Sequence, residues 1–359
     1  MEKKNFNHFK RDNPLSIPII ILFGLIGYTA AFILLSSNYR DPDMFRDIYV
    51  MRNTSDNKLH EVSKDTLTLS EKLMVEKPVS IGKGQLLFTL NPNFLVWTAL
   101  ILIMFTLSSA CLPVFIWQII YLKNKFKLKA MHIWQSIAFA GLMIIFLIIV
   151  QLSLTGLYYP SQIIDNFNIL FLHGWVVRAI AYTTPILQIP ILILMFLVGI
   201  SAQTVNYDIK DKLSIEKAIS QFSLLNQSLT WALQILAVLV VFSVLTTGTL
   251  QQTIKSVLIL KEFEVFPKEI SYVYGMFFSL FLGIIYIPTY LYLKNRYSQL
   301  NKALEFGMES ADEKTQELYE KLLKSDNFGG SAIDNLKLAF TVLAPLISGF
   351  LPEQLNLLH

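Results

Sequence analysis

Six long stretches of this chain, residues 13–39, 84–122, 130–164, 179–207, 218–254 and 270–293, contain no Asp, Glu, Lys or Arg. Crossing the roughly 30 Å hydrocarbon core of a bilayer takes about 20 apolar residues. Lipid offers no partner to peptide N–H and C=O groups, so such a segment must satisfy them internally as a helix. Each stretch is therefore long enough for one crossing. The second and fifth approach two, but Asn91-Pro92-Asn93 and Asn226-Gln227-Ser228 are expected to limit them to single helices beginning near Phe94 and Leu229.

The whole composition agrees with a lipid solvent: 53% of residues are hydrophobic and only 16% charged, against about a quarter charged in a soluble globule. The net charge of +4, from 30 basic and 26 acidic side chains, is too small and scattered to indicate nucleic-acid binding. The lone cysteine, Cys111, excludes an intrachain disulfide. The amino end, with Lys3, Lys4, Lys10 and Arg11 ahead of an apolar run, superficially resembles a signal peptide. The run is too long for one and lacks a small-x-small cleavage site, so it reads as an uncleaved first span.

Basic residues are retained on the cytoplasmic side of a membrane, and here they fall in alternate gaps. Lys3 to Arg11 precede span one, Lys123 to Lys129 separate spans two and three, Lys210 to Lys217 separate four and five, and Lys294, Arg296 and Lys302 follow span six. The other three gaps carry no basic excess. The expected fold class is thus an all-α polytopic membrane protein of about six transmembrane helices, both termini cytoplasmic, in a bacterial inner membrane. Its parts are a cytoplasmic N-terminus and first span (1–37), a small β-rich extracytoplasmic loop (38–93), a five-helix region (94–293), a cytoplasmic helix (294–330) and an apolar amphipathic or re-entrant tail (331–359). Within the loop, a short helix is expected around 44–51 and strands at 66–69 and 85–90.

No catalytic constellation emerges. Gly82-Lys83-Gly84 lacks the spacing of a phosphate loop, and His60-Glu61 lacks the second histidine of a zinc-hydrolase helix. Asp41, Asp43 and Arg178 alone offer polar groups to an intramembrane lipid enzyme. The five histidines fall in different segments, so neither a metal site nor a cofactor is expected.

Arg178 is the one permanent charge set within an extended apolar region, which makes it a candidate pore or gating residue or an interfacial anchor beside Trp175. Spans without an acidic relay disfavour a proton- or sodium-coupled carrier. Their amides, including Gln118, Gln135, Gln151, Gln188 and Gln234, either bond between helices or line a wet path; Gln151, Gln188 and Gln234 are the pore candidates. Gly275, Ser279 and Gly283 recur four apart and mark a close-packing face within the subunit or between copies, with Ser136 and Ala140 a weaker instance. Pro185 and Pro190 are expected to kink span four and Pro288 span six.

By elimination the chain reads as a non-enzymatic, channel- or pore-like membrane protein. The alternative is a membrane-anchored signalling or accessory subunit whose outside loop and cytoplasmic tail bind partners. The bilayer is the one certain partner; a homo-oligomer is compatible with the small-residue face.

Overall fold

In the computed structural model the described residues are 17–36, 49–52, 59–62, 92–158, 175–208, 212–257 and 269–309, together with Thr341, Leu343, Ala344 and Ile347. They form helices α1 (Ile17–Ser36), α2 (Pro92–Lys125), α3 (Ala130–Tyr158), α4 (Trp175–Leu187), α5 (Ile189–Thr204), α6 (Lys212–Val257) and α7 (Glu269–Glu309), and strands β1 (Tyr49–Arg52) and β2 (Leu59–Val62). Six segments are long and apolar enough to cross a membrane: Ile17–Ser36, Asn93–Lys125, Ala130–Val150, Tyr182–Thr204, Leu213–Thr253 and Ser271–Leu304. The protein is an integral membrane protein.

The outer surface says the same in packing terms. Ile21, Leu25 and Ile33 on α1, Leu142, Ile145 and Ile149 on α3, and Met276, Leu280 and Ile284 on α7 are each more than half exposed. Apolar belts of this extent are stable only against lipid or another apolar surface.

At the centre stands α5, packed against α2, α3, α6 and α7. Its sequence is apolar on every side, and Ile191, Leu192, Leu194, Met195, Leu197 and Val198 are all buried; a helix without a polar face belongs inside. By contrast α1 buries a single stripe, Gly24, Gly27, Ala31 and Leu35, and packs chiefly along α2.

Four local expectations need correction. Asn226-Gln227-Ser228 does not begin a helix but lies within the 46 residues of α6. The Ser228 hydroxyl donates to the Leu224 carbonyl (2.8 Å), so its polarity is absorbed by the helix and does not compete with it. Span four, Tyr182–Thr204, goes beyond the expected kink: between Pro185 and Pro190 its helix is interrupted at Gln188, which separates α4 from α5. The stretch after span six is not a separate helix at its start, since α7 continues unbroken from Glu269 to Glu309 through Pro288. Finally, Tyr49, Val50 and Met51 are not helical; β1 pairs antiparallel with β2, Tyr49 opposite Val62 and Arg52 opposite Leu59. Tyr49 and Val50 on β1 and Val62 on β2 suit a pleated pair. Residues 66–69, 85–90 and 310–330 lie outside the described residues, as does nearly all of the 331–359 tail.

At 1.5 Å per residue α6 is about 69 Å long, over twice the hydrocarbon thickness. Its amino-terminal part runs beside the carboxy-terminal part of α7, where Phe222 meets Tyr297 edge-on at 5.8 Å between ring centres. Ile215, Ala218, Phe222 and Leu225 there share one core with Leu293, Tyr297, Leu300 and Leu304, and with Leu122, Phe126 and Leu128 around the α2–α3 turn. Lys123, Lys125, Lys127, Lys129, Lys217, Lys294, Arg296 and Lys302 belong to these same segments, so this is the basic end of the bundle.

The antiparallel register of α2 and α6 is fixed by two polar contacts. Gln118 Nε2 donates to Ser228 Oγ at 2.9 Å, and Ser243 Oγ lies 3.4 Å from Met104 Sδ. Gln118 thus serves as interhelical glue. Gln118→Leu should lower stability by about 1 kcal/mol, and a double-mutant cycle with Ser228→Ala, read from thermal unfolding in detergent, should recover a coupling of about 0.6 kcal/mol; strict additivity would contradict the bond.

Candidate functional site

Away from the basic end the core opens into a cavity of about 110 Å³. Its walls come from five helices and one break: Trp97 and Met104 of α2, Leu147 of α3, Thr184 and Pro185 of α4, Gln188 between α4 and α5, Ser243, Thr246, Thr247 and Leu250 of α6, and Tyr274 and Phe278 of α7, closed by Ile180. Thr184, Gln188, Thr246, Leu250 and Tyr274 are buried, so the cavity reaches in among the helices while remaining partly open to the outside.

The break is a consequence of proline chemistry. Pro190 has no N–H to give the Ile186 carbonyl. The Gln188 N–H turns to the Pro185 carbonyl at 3.1 Å, and the Ile191 N–H to the Gln188 carbonyl at 3.1 Å. The carbonyl of Thr184, a residue of the cavity wall, therefore loses its helical donor, as does that of Ile186, which lies outside the wall on the exposed face. Gln188 itself keeps φ −88° and ψ −8° and its side chain does not cap α5. Interrupted membrane helices of this kind are tolerated where they border protein or a wet cavity.

The hydroxyls share one arrangement. Thr184 donates to Ile180 O at 2.9 Å, Ser243 to Leu239 O at 3.0 Å, Thr246 to Phe242 O at 2.7 Å and Thr247 to Ser243 O at 3.0 Å. The Thr184, Thr246 and Thr247 protons go to the preceding turn of their own helices, the Ser243 proton is shared between Leu239 O and Met104 Sδ, and each oxygen keeps lone pairs to offer. No charged side chain among the described residues lines the cavity. Among the described residues, no three His, Cys, Asp or Glu side chains come together in a way that suits a metal ion.

Of the residues singled out from sequence, Gln188 lies in the cavity wall. Arg178 is in the first turn of α4, two residues before Ile180, and Gln151 is near the end of α3; their side chains lie outside the described residues. Gln234 is exposed on the outer surface of α6 and is not among the cavity residues. Gly275, Ser279 and Gly283 are buried inside the subunit, as are Ser136 and Ala140. The hydroxyl cluster on α6 escaped sequence reading, although Ser243, Thr246, Thr247 and Leu250 follow the i, i+3, i+4, i+7 spacing of one helix face.

Compared with known proteins, the chain matches no family model, no curated protein and no solved structure.

Proposed function

We propose that this membrane protein is channel- or pore-like and non-enzymatic, with the cavity as the polar section of its conduit. The observation that carries the reading is the coincidence of a helix break, a buried amide and four hydroxyls around one internal space. A broken helix at membrane depth is tolerated where it lines a water-filled cavity, and hydroxyls and an amide converging on one space suit a path for a polar solute. Toward the basic end the conduit is shut, because Met195, Val198, Leu229, Leu236, Tyr286 and Leu293 are buried in a continuous core. Conduction on this account requires α5 to move within its ring of helices, and the break at Gln188 is the hinge. Arg178, on the helix that supplies Thr184 and Pro185, would sit at the mouth of the path.

The basic end faces the cytoplasm of a bacterial cell in this proposal, by the retention of lysine and arginine there. The buried Gly275, Ser279 and Gly283 serve contacts inside the subunit, so copies would associate through exposed faces such as that of Gln234.

Cysteine accessibility tests the wet cavity. In a Cys111→Ser background, Thr246→Cys should react with 2-aminoethyl methanethiosulfonate, followed by mass shift of the intact protein. Leu229→Cys, in the sealed core, should remain unmodified. Equal protection of both cysteines would show the cavity to be dry and would remove the conduit.

A further inference from the structure

The chemistry of the cavity wall restricts what it receives. Four hydroxyls spend their protons inside the protein, Thr184, Thr246 and Thr247 on carbonyls one turn back and Ser243 between such a carbonyl and Met104 Sδ, so they face a guest as acceptors. The break adds the carbonyl of Thr184, deprived of its helical donor because the Gln188 N–H turns to the Pro185 carbonyl. Trp97, Tyr274 and Phe278 contribute aromatic rings to the same wall, and ring faces attract cations. Acceptors thus outnumber donors, of which the Gln188 amide, the Tyr274 hydroxyl and the Trp97 indole are the sources.

We infer that the cavity binds a small monovalent cation of the ammonium type, held by hydroxyl and carbonyl oxygens and aromatic rings without a carboxylate. An anion would need donors. The start of α5 is a poor source of them: Ile189 is not a residue of the wall, Pro190 has no N–H, and the N–H groups of Ile191 and Leu192 are committed to the Gln188 carbonyl. A multivalent cation would need formal negative charge, and none lines the space among the described residues. About 110 Å³ accommodates several waters, each needing on the order of 15 Å³ by this measure, and therefore an ammonium or methylammonium ion with part of its hydration. Binding without a counter-charge is weak and quickly reversed, which is what passage demands. The inference rests on the cavity being a solute site, as proposed above, and not on the solute crossing the membrane.

The test uses the full chain in nanodiscs and in sealed liposomes. Ammonium chloride and methylammonium chloride should raise the thermal-unfolding midpoint saturably, with half-saturation in the range of about 1 mM or weaker, while N-methyl-D-glucamine chloride at equal ionic strength should not. Thr184→Val and Thr246→Val together keep side-chain shape and remove two acceptors, and should raise half-saturation about tenfold. If the double variant fails to fold, Thr246→Val alone is read in its place. Thr249→Val, a buried hydroxyl on the same helix outside the cavity wall, should leave half-saturation unchanged. A response equal for N-methyl-D-glucamine, or one that follows the anion when chloride is exchanged for nitrate, overturns the inference, as does no saturable response at all. Saturable ammonium binding without liposome flux would support the site and defeat the conduit. Flux of glycerol or chloride without cation binding would do the reverse.

Discussion

Replacing Gly27 by leucine should undock α1 from the rest of the bundle. A Cβ at Gly27 would be driven into the Ser109 side chain and would lie 2.7 Å from the Phe105 carbonyl oxygen of α2. Backbone cannot withdraw as a flexible side chain can, so even alanine forces the two helices apart, at about 1–3 kcal/mol. Leucine adds three further carbons to the same collision. At Gly24 the same construction meets the Ala110 Cβ at 3.4 Å, an ordinary contact, so Gly24→Ala should cost little. Because α1 packs chiefly against α2, losing this one face loses its docking. The 3.4 Å approach also suits a disulfide, whose Cβ atoms lie about 3.5–4.5 Å apart. In a Cys111→Ser background, Gly24→Cys with Ala110→Cys should therefore crosslink on mild oxidation, and adding Gly27→Leu should abolish the crosslink. Undiminished crosslinking in the leucine variant would show that Gly27 is not a close contact with α2, and no crosslinking with Gly27 intact would show that α1 and α2 do not meet here.

The number of spans was legible because the cost of burying charge in hydrocarbon is paid residue by residue, so uncharged runs alone mark the crossings. The basic gaps between them likewise correspond to one end of the bundle, around Lys123 to Lys129, Lys217 and Lys294. Breaks within the runs were less legible. Asn226-Gln227-Ser228 is weakly helix-averse in isolation, yet Ser228 is held at both ends by Leu224 and Gln118, and tertiary packing overrides a propensity of a few tenths of a kcal/mol. Two prolines five residues apart, Pro185 and Pro190, divide a helix that a single Pro288 leaves intact. The α1–α2 contact also went unread, since Gly24 and Gly27 are only three apart and their partners Thr106, Ser109 and Ala110 lie on another helix. Of three amides considered as pore residues, helical phase separates Gln188, which lines the cavity, from Gln234, which faces outward. A sequence read one span at a time carries no information on that phase when the whole helix is apolar.

Filling or depolarising the cavity should abolish transport if the cavity is the conduit. Ser243→Phe places a phenyl ring where the hydroxyl of a cavity-lining residue now lies, and Gln188→Leu removes the amide at the helix break while keeping similar bulk. Each should lower solute entry by about tenfold or more, the loss expected when a buried polar contact worth about 1.4 kcal/mol disappears or the space closes. Gln234→Leu, on the exposed side of α6, should transport as wild type does. The decisive measurement is uptake of potassium, methylammonium, chloride and glycerol into liposomes holding each variant at equal density, with correct folding established beforehand by size-exclusion chromatography. The account predicts entry of at least one of these through the wild type, its loss in Ser243→Phe and Gln188→Leu, and no change in Gln234→Leu. Entry that survives both cavity substitutions but fails in Gln234→Leu would place the path between subunits and contradict the account, and a wild type that admits none of the four would contradict conduction altogether.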